Sequence, residues 1–118
     1  MIMQATGPLD LDLVGELKDI MAEGFVTLVD SYQRDSAQRL AGMQEALAAG
    51  DRGQLRQLAH SLKGSSSNLG AVQVTALCIA LEGCVAESAP ADLQALIDEL
   101  NKAHVTAIDA LRAISAGV

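Results

Sequence analysis

Apolar residues recur along most of this chain at intervals of three and four positions, and this spacing constrains the fold more than any other feature. It places side chains on one face of an α-helix, and no segment shows the two-residue alternation of a half-buried strand. Five stretches carry the pattern, at Leu9, Leu13 and Leu17; at Phe25, Leu28, Val29, Tyr32, Leu40, Met43 and Leu47; at Leu55, Leu58, Ala59 and Leu62; at Val74, Leu77, Cys78, Leu81 and Val85; and at Leu93, Leu96, Ile97, Leu100, Ile108 and Leu111. The sequence therefore predicts an all-α protein.

Short breaks separate these stretches, so that consecutive helices must pack side by side in opposite directions. The breaks fall near Gly24, at Gly50-Asp51, at Asn68 to Gly70, and at Ser88-Ala89-Pro90. Proline suits a first helical turn but not a helix interior. We expect an antiparallel up-down four-helix bundle, preceded by a short extra N-terminal helix that begins near Asp10 or Asp12.

The size and composition fit one domain, 1–118, with a core at about residues 9–115. Of the 118 residues 50% are hydrophobic but only 2% are aromatic, so the core must be built from aliphatic side chains. The net charge of −7 argues against a nucleic-acid partner, which needs a basic face, and against binding to anionic membranes. We expect a monomer.

Nothing in the sequence predicts secretion, membrane insertion or a metal site. The first residues lack the basic and apolar regions of a signal peptide, and no apolar run is long enough to span a membrane. Cys78 and Cys84 lie six positions apart, which suits neither a zinc site nor a redox pair. We interpret both as small buried hydrophobic residues in a cytoplasmic protein.

His60 lies away from the apolar face of the third predicted helix. With Leu55 taken as zero on a helical wheel, the apolar positions fall within about 60° of it and His60 falls at about 140°. Arg56, Lys63, Gly64 and Ser67 share the outer face with His60. On wheel position alone His60 is an ordinary solvated residue. His104, by contrast, falls on an apolar stripe, which predicts a hydrogen-bonded histidine in the core or at its edge.

The neighbours of His60 favour phosphoryl transfer. An imidazole is nucleophilic at neutral pH because its ordinary pKa is about 6.5, so one nitrogen can attack phosphorus while the other keeps its proton. Lys63 could neutralise a phosphoryl group, with Arg56 more distant. Gly64, one turn away, costs about 1 kcal/mol of helix stability, which access to the imidazole would explain. The alternatives are that Gly64 relieves helix–helix crowding or is a tolerated drift of the sequence. No nucleotide-binding loop is present, and the two distant histidines make a poor metal site.

The run Ala59-His60-Ser61-Leu62-Lys63-Gly64-Ser65-Ser66-Ser67-Asn68-Leu69-Gly70-Ala71 resembles the histidine-containing phosphotransfer (HPt) family of two-component phosphorelays, as does the preceding Ala48-Ala49-Gly50-Asp51 turn. The resemblance extends over about residues 9 to 115. It implies that His60 accepts the phosphoryl group, that Lys63 lies beside it and that Gly64 gives access. It also matches Glu82 to a position that orients the imidazole, although a solvated glutamate would look the same.

The resemblance further implies partners. Donor and acceptor would be aspartates on receiver domains of a hybrid sensor kinase and a response regulator, and the receiver would supply Mg²⁺, so that this chain needs no cofactor or ATP site of its own. Arg56, Ser67, Val26 and Ile79 are candidates for contacting the receiver. Two other functions remain open: a helical bundle that docks a signalling partner without phosphorylation and, more remotely, an enzyme that uses a bound metal.

Overall fold

The computed structural model describes residues 7–117, which form five helices and no strand. The helices are α1 (Leu11–Met21), α2 (Gly24–Ala48), α3 (Arg52–Asn68), α4 (Val72–Cys84) and α5 (Pro90–Ser115). This confirms the predicted all-α class and the short N-terminal helix. Within the described range, no helix combines the length and the apolar character needed to cross a membrane.

The four longer helices form an antiparallel bundle. Helix α2 packs against α3 and α5, and α4 packs against the same two helices from the other side. The pairing of α2 with α5 shows their opposite directions, because Gln44 bonds to Gln94 near one end and Asp30 bonds to Arg112 near the other. The up-down topology follows from the short connections between neighbouring helices.

The core consists of the centre of each apolar stripe. The largest fully buried side chains include Phe25, Met43, Leu55, Leu62, Leu81, Leu93, Ile97, Leu100 and Leu111. Leucines at the margins of the stripes, which are Leu28, Leu47, Leu58, Leu77 and Leu96, are only partly buried and pack against this core. The helical period thus predicted the core face correctly.

The first helix differs from the prediction in detail. Leu9 is buried but precedes the helix, and Asp10 is the N-cap, with its carboxylate accepting from the Leu13 amide at 3.2 Å. The fully buried residue of α1 is Val14, whereas Leu13 and Leu17 are only partly buried. The apolar stripe predicted for α1, at Leu9, Leu13 and Leu17, was therefore displaced from the buried position Val14, because Leu9 lies before the helix begins.

The turn between α2 and α3 sets the register of these two helices. Gly50 adopts a φ of 72°, the left-handed conformation that glycine enters most easily. The Asp51 amide donates to the Ala46 carbonyl and the Gly50 amide donates to the Leu47 carbonyl, as in a Schellman motif. Asp51 also caps α3, since its carboxylate accepts from the Gln54 amide at 3.0 Å. One tight turn therefore ends α2 and starts α3.

Candidate functional site

His60 lies on the outer surface of α3, with its side chain 70% exposed. Ala59 beside it and Leu62 two positions on are fully buried. The predicted outward position of His60 is therefore confirmed, and the imidazole stands on a helix that is held firmly against the rest of the bundle.

One nitrogen of this imidazole is engaged by the neighbouring helix. Nδ1 of His60 lies 3.0 Å from Oε2 of Glu82 on α4. An ionised carboxylate can only accept, so Nδ1 is the donor and keeps its proton. Nε2 is left as the nitrogen with a free lone pair. The structure therefore brings Glu82 to the place where it can orient the ring.

Lys63 binds the other oxygen of the same carboxylate. Its Nζ lies 2.6 Å from Oε1 of Glu82, whose side chain is only 16% exposed. This contact with Lys63 is the main reason why the pKa of Glu82 is lowered, with a smaller contribution from His60, while partial burial acts in the opposite direction. Glu82 is thus a carboxylate held in place by two donors, one from each side.

Gly64 leaves open space next to the imidazole. It is exposed, and a Cβ atom built on it would meet nothing within 4 Å. Gly64 therefore does not relieve crowding between helices, which was one of the two alternative explanations for glycine at this position. The open space is on the side from which another molecule would approach His60.

The four residues predicted to contact a partner are distributed unevenly. Arg56 and Ser67 are exposed on α3, one turn before and two turns after His60. Ile79 is 55% exposed and lies one turn before Glu82 on α4, beside the site. Val26 is 44% exposed, but it lies 13 positions before Arg39, which bonds to Ser61 next to His60, and this is a distance of about 20 Å along α2. The structure does not bring Val26 to the histidine.

Arg39 was missed by sequence reasoning. Its Nε donates to the Ser61 hydroxyl at 2.8 Å, which places a guanidinium group on the α2 side of the residue next to His60. Arg39 and Ser61 lie equally far from Gly50, on either side of the turn. The register of two antiparallel helices around a single glycine turn is the signal that could have revealed this pair.

His104 is buried, with 8% of its surface exposed, as predicted for a histidine at the core. Its ring lies 6.1 Å from that of Tyr32, and Nε2 has no hydrogen-bond partner among residues 7–117, contrary to the expected hydrogen bond. Burial lowers its pKa. Unlike the exposed His60, His104 is buried in the core, and it is not part of the site on α3.

A helical bundle with an exposed imidazole, which a carboxylate contacts and a lysine and an open glycine flank, can carry a group on a histidine. Within the described range, no three His, Cys, Asp or Glu side chains converge as metal ligands would. The class of protein that the fold and the site define is a small helical carrier.

Comparison with known proteins identifies the class. The sequence model of the Hpt domain family matches residues 27–114. The chain is also similar to the crystal structure of histidine-containing phosphotransfer protein B (HptB) from Pseudomonas aeruginosa PAO1, with a TM-score of 0.87 and 30% identity over 96% of this chain and 98% of that one. Among curated protein sequences, none matches significantly.

The chain belongs to the Hpt domain family. It is accordingly a histidine phosphotransfer protein of a phosphorelay, a phosphocarrier rather than a kinase, and its partners are receiver domains. The family match begins after α1, so the N-terminal helix lies outside the part of the chain that the family model describes.

Proposed function

We propose that His60 is the residue that carries the phosphoryl group, taking it from a receiver-domain aspartate of a hybrid sensor kinase and passing it to the receiver aspartate of a response regulator. The observation that carries this proposal is the contact between Nδ1 of His60 and Glu82, at 3.0 Å, on an otherwise exposed ring. His104, the other histidine of the chain, is buried and cannot meet a partner's aspartate.

The orientation of the ring assigns the chemistry to Nε2. Its lone pair attacks the phosphorus of the aspartyl phosphate, so that a P–N bond forms while the P–O bond to the aspartate breaks and the carboxylate leaves. Nδ1 keeps its proton throughout, and Glu82 stabilises the positive charge that the ring acquires. Transfer to the next aspartate is the reverse of this step.

Lys63 and Gly64 have supporting roles in this proposal. Lys63 Nζ, at 2.6 Å from Glu82, is close enough to the imidazole to turn toward a phosphoryl group on Nε2 and neutralise part of its charge. Gly64 lets the receiver approach the ring closely. The receiver supplies Mg²⁺ and the reacting aspartate, so the carrier itself contributes the nucleophile and its orientation.

We further propose that residues 1–118 act as one domain, as a monomer, in the cytoplasm. The free thiols of Cys78 and Cys84 support a reducing compartment. A monomer leaves the face around His60 open to each receiver in turn.

The direct test is phosphotransfer from a phosphorylated receiver to the purified protein. We expect label on the wild type that is stable in alkali and lost in acid, and no label on His60→Gln. That variant retains His104, so loss of label assigns the phosphoryl group to position 60. Circular dichroism would show that the fold is intact, and a variant that folds and still accepts label would disprove the proposal.

The nitrogen is tested separately. Phosphorus–proton NMR of the phosphorylated protein distinguishes the two phosphohistidine isomers, and we expect phosphate on Nε2. Phosphate on Nδ1 would contradict the role assigned to Glu82, because the bond between that nitrogen and the carboxylate would have to be broken first.

A further inference from the structure

We propose that Arg39 is a positioning residue for the receiver domain, with its guanidinium group held by Ser61 so that it can bind an acidic side chain at the rim of the receiver's phosphorylation pocket. This inference rests on the proposed role of His60. It extends the docking surface from α3 to Arg39 on α2, a residue that sequence reasoning missed.

The hydrogen bond to Ser61 fixes Arg39 through Nε and leaves the two terminal nitrogens, which can together bind a carboxylate. Nε of Arg39 donates to the Ser61 hydroxyl at 2.8 Å. Within the described part of the chain, the two terminal nitrogens have no hydrogen-bond or ion-pair partner. A guanidinium fork that is already oriented loses little side-chain entropy when a carboxylate binds to it.

Two other arginines of the bundle, Arg52 and Arg112, are committed to the fold. Arg52 donates to the carbonyls of Val85 and Ser88, at 2.6 and 2.8 Å, and so ties the start of α3 to the end of α4. Arg112 pairs with Asp30 at 2.5 Å. Apart from its bond to Ser61, Arg39 has no carboxylate or carbonyl partner among residues 7–117, although the protein carries 15 acidic residues and a net charge of −7. An unpaired cation beside the acceptor is therefore available to a partner.

The position of Arg39 gives it a task that Lys63 cannot perform. Lys63 and Glu82 lie on the α4 side of His60, whereas Arg39 lies on the α2 side, level with Ser61. A receiver that is centred over Nε2 covers both sides. The Mg²⁺ that the receiver supplies is bound through carboxylates, so acidic groups surround the reacting aspartate and charge complementarity favours an acidic contact with Arg39.

The test measures single-turnover transfer from a phosphorylated receiver at increasing receiver concentration. We expect Arg39→Ala to raise the half-saturating concentration about tenfold with little change in the maximal rate. Arg39→Lys should recover part of the loss, since it keeps the charge but not the fork. Ser61→Ala should raise the half-saturating concentration less than Arg39→Ala, because it only releases the guanidinium.

Arg34→Ala is the matched control. Arg34 is exposed on the same helix and contacts only the Ser31 hydroxyl, at 3.5 Å. Its removal lowers the charge equally but on another face, and it should leave the half-saturating concentration unchanged. Equal effects of the two substitutions would overturn the proposal by showing that only net charge matters, and so would an Arg39→Ala variant that behaves like the wild type.

Labelling with phosphoramidate, a small phosphodonor that needs no docking, separates this proposal from the previous one. We expect Arg39→Ala to accept phosphate from it at the wild-type rate. If the variant is slowed equally with both donors, Arg39 acts on the imidazole rather than on the receiver, and the docking role is wrong. Failure of the wild type to accept label from either donor would instead disprove the role of His60.

Discussion

At the scale of single residues, the site depends on one carboxylate that serves two donors. One carboxylate oxygen of Glu82 accepts a hydrogen bond from Nδ1 of His60 at 3.0 Å. The other oxygen pairs with Nζ of Lys63 at 2.6 Å. The lysine has two consequences. It keeps the carboxylate ionised, so that Nδ1 always has an acceptor, and it offsets the repulsion that a bare carboxylate would exert on a phosphoryl group.

Replacing Lys63 tests this arrangement directly. Because Lys63 is the largest cause of the lowered pKa of Glu82, we expect that pKa to rise in Lys63→Met. A titration of the Glu82 side-chain carboxyl carbon by NMR would measure the change. Lys102→Met, which removes an exposed lysine from α5, is the control and should leave the pKa of Glu82 where it was.

The same titration has a consequence for stability. A carboxyl group whose pKa is lower in the folded state stabilises the fold above the pKa of the unfolded chain, and this contribution is lost as the pH falls through the folded value. Lys63→Met should therefore reduce the loss of stability on acidification below about pH 4.5. An unchanged acid limb in urea unfolding would show that the pair contributes no net stability.

At the scale of the helix, we expect replacement of Gly64 to have opposite effects on function and on stability. The backbone gains stability when a glycine in a helix is replaced, by up to about 1 kcal/mol, and open space surrounds Gly64. We therefore expect Gly64→Leu to unfold at a higher urea concentration than the wild type. We also expect it to accept phosphate from a receiver roughly tenfold more slowly, because the new side chain stands in the receiver's path.

Gly15→Leu provides the comparison for this variant. Gly15 is exposed within α1 and, like Gly64, has nothing within 4 Å of a built Cβ, but it lies on a different helix. The two variants should gain similar stability, and only Gly64→Leu should lose transfer. A destabilised Gly64→Leu protein would show that the glycine is required by the fold after all.

The turn between α3 and α4 packs against the first helix, and glycine is favoured at position 70 of this turn for two reasons. Gly70 adopts a φ of 78°, and a Cβ on it would lie 3.1 Å from a methyl group of Val14. Its carbonyl also accepts from the Asp10 amide at 2.8 Å. A side chain at this position is therefore disfavoured both by the backbone conformation and by the proximity of α1.

Comparison of Gly70→Ala with Gly50→Ala isolates the effect of the contact with α1 from the effect of the backbone conformation. Gly50 has a similar φ of 72° but open space around it, so its replacement should lower the free energy of unfolding by about 1 kcal/mol. Gly70→Ala should lower it by about 1 kcal/mol more, because the new methyl group must displace Val14. Equal losses in urea unfolding would mean that α1 moves aside at no cost.

The sequence predicted the features of this fold that depend on one helix at a time. The 3.6-residue period indicated five helices, the core faces and the outward position of His60, because these follow from local geometry. The period alone does not predict which residues of different helices meet, since this also needs the register that a turn such as the one at Gly50 sets. The approach of Glu82 was implied by family resemblance, Arg39 was missed, and Val26 proved to be exposed but distant, because each depends on the register and length of helices packed together.

At the scale of the whole molecule, polar side chains from three different helices lie next to one another inside the bundle. The Tyr32 hydroxyl on α2 and the Ser66 hydroxyl on α3 are 2.6 Å apart in the core, and the ring of His104 on α5 lies beside Tyr32. Burial raises the pKa of Tyr32 and lowers that of His104, so both groups are neutral in the folded protein at pH 7. Of these groups, His104 is the one whose ordinary pKa, about 6.5, lies in the physiological range.

His104 makes the stability of the bundle sensitive to acid. Its folded pKa lies below the ordinary value of 6.5, so the unfolded chain binds a proton first as the pH falls, and stability is lost below about pH 6.5 until the folded pKa is reached. In the His60→Gln background, where position 104 is the remaining histidine, we expect His104→Leu to abolish this loss between pH 7 and pH 5. The measurement is the free energy of unfolding by urea at each pH.

Above pH 7 the leucine variant should be at least as stable as its parent, because a buried nitrogen without a partner has been removed. If the two proteins lose stability in parallel on acidification, the sensitivity arises from the carboxyl groups of the surface and not from the histidine in the core.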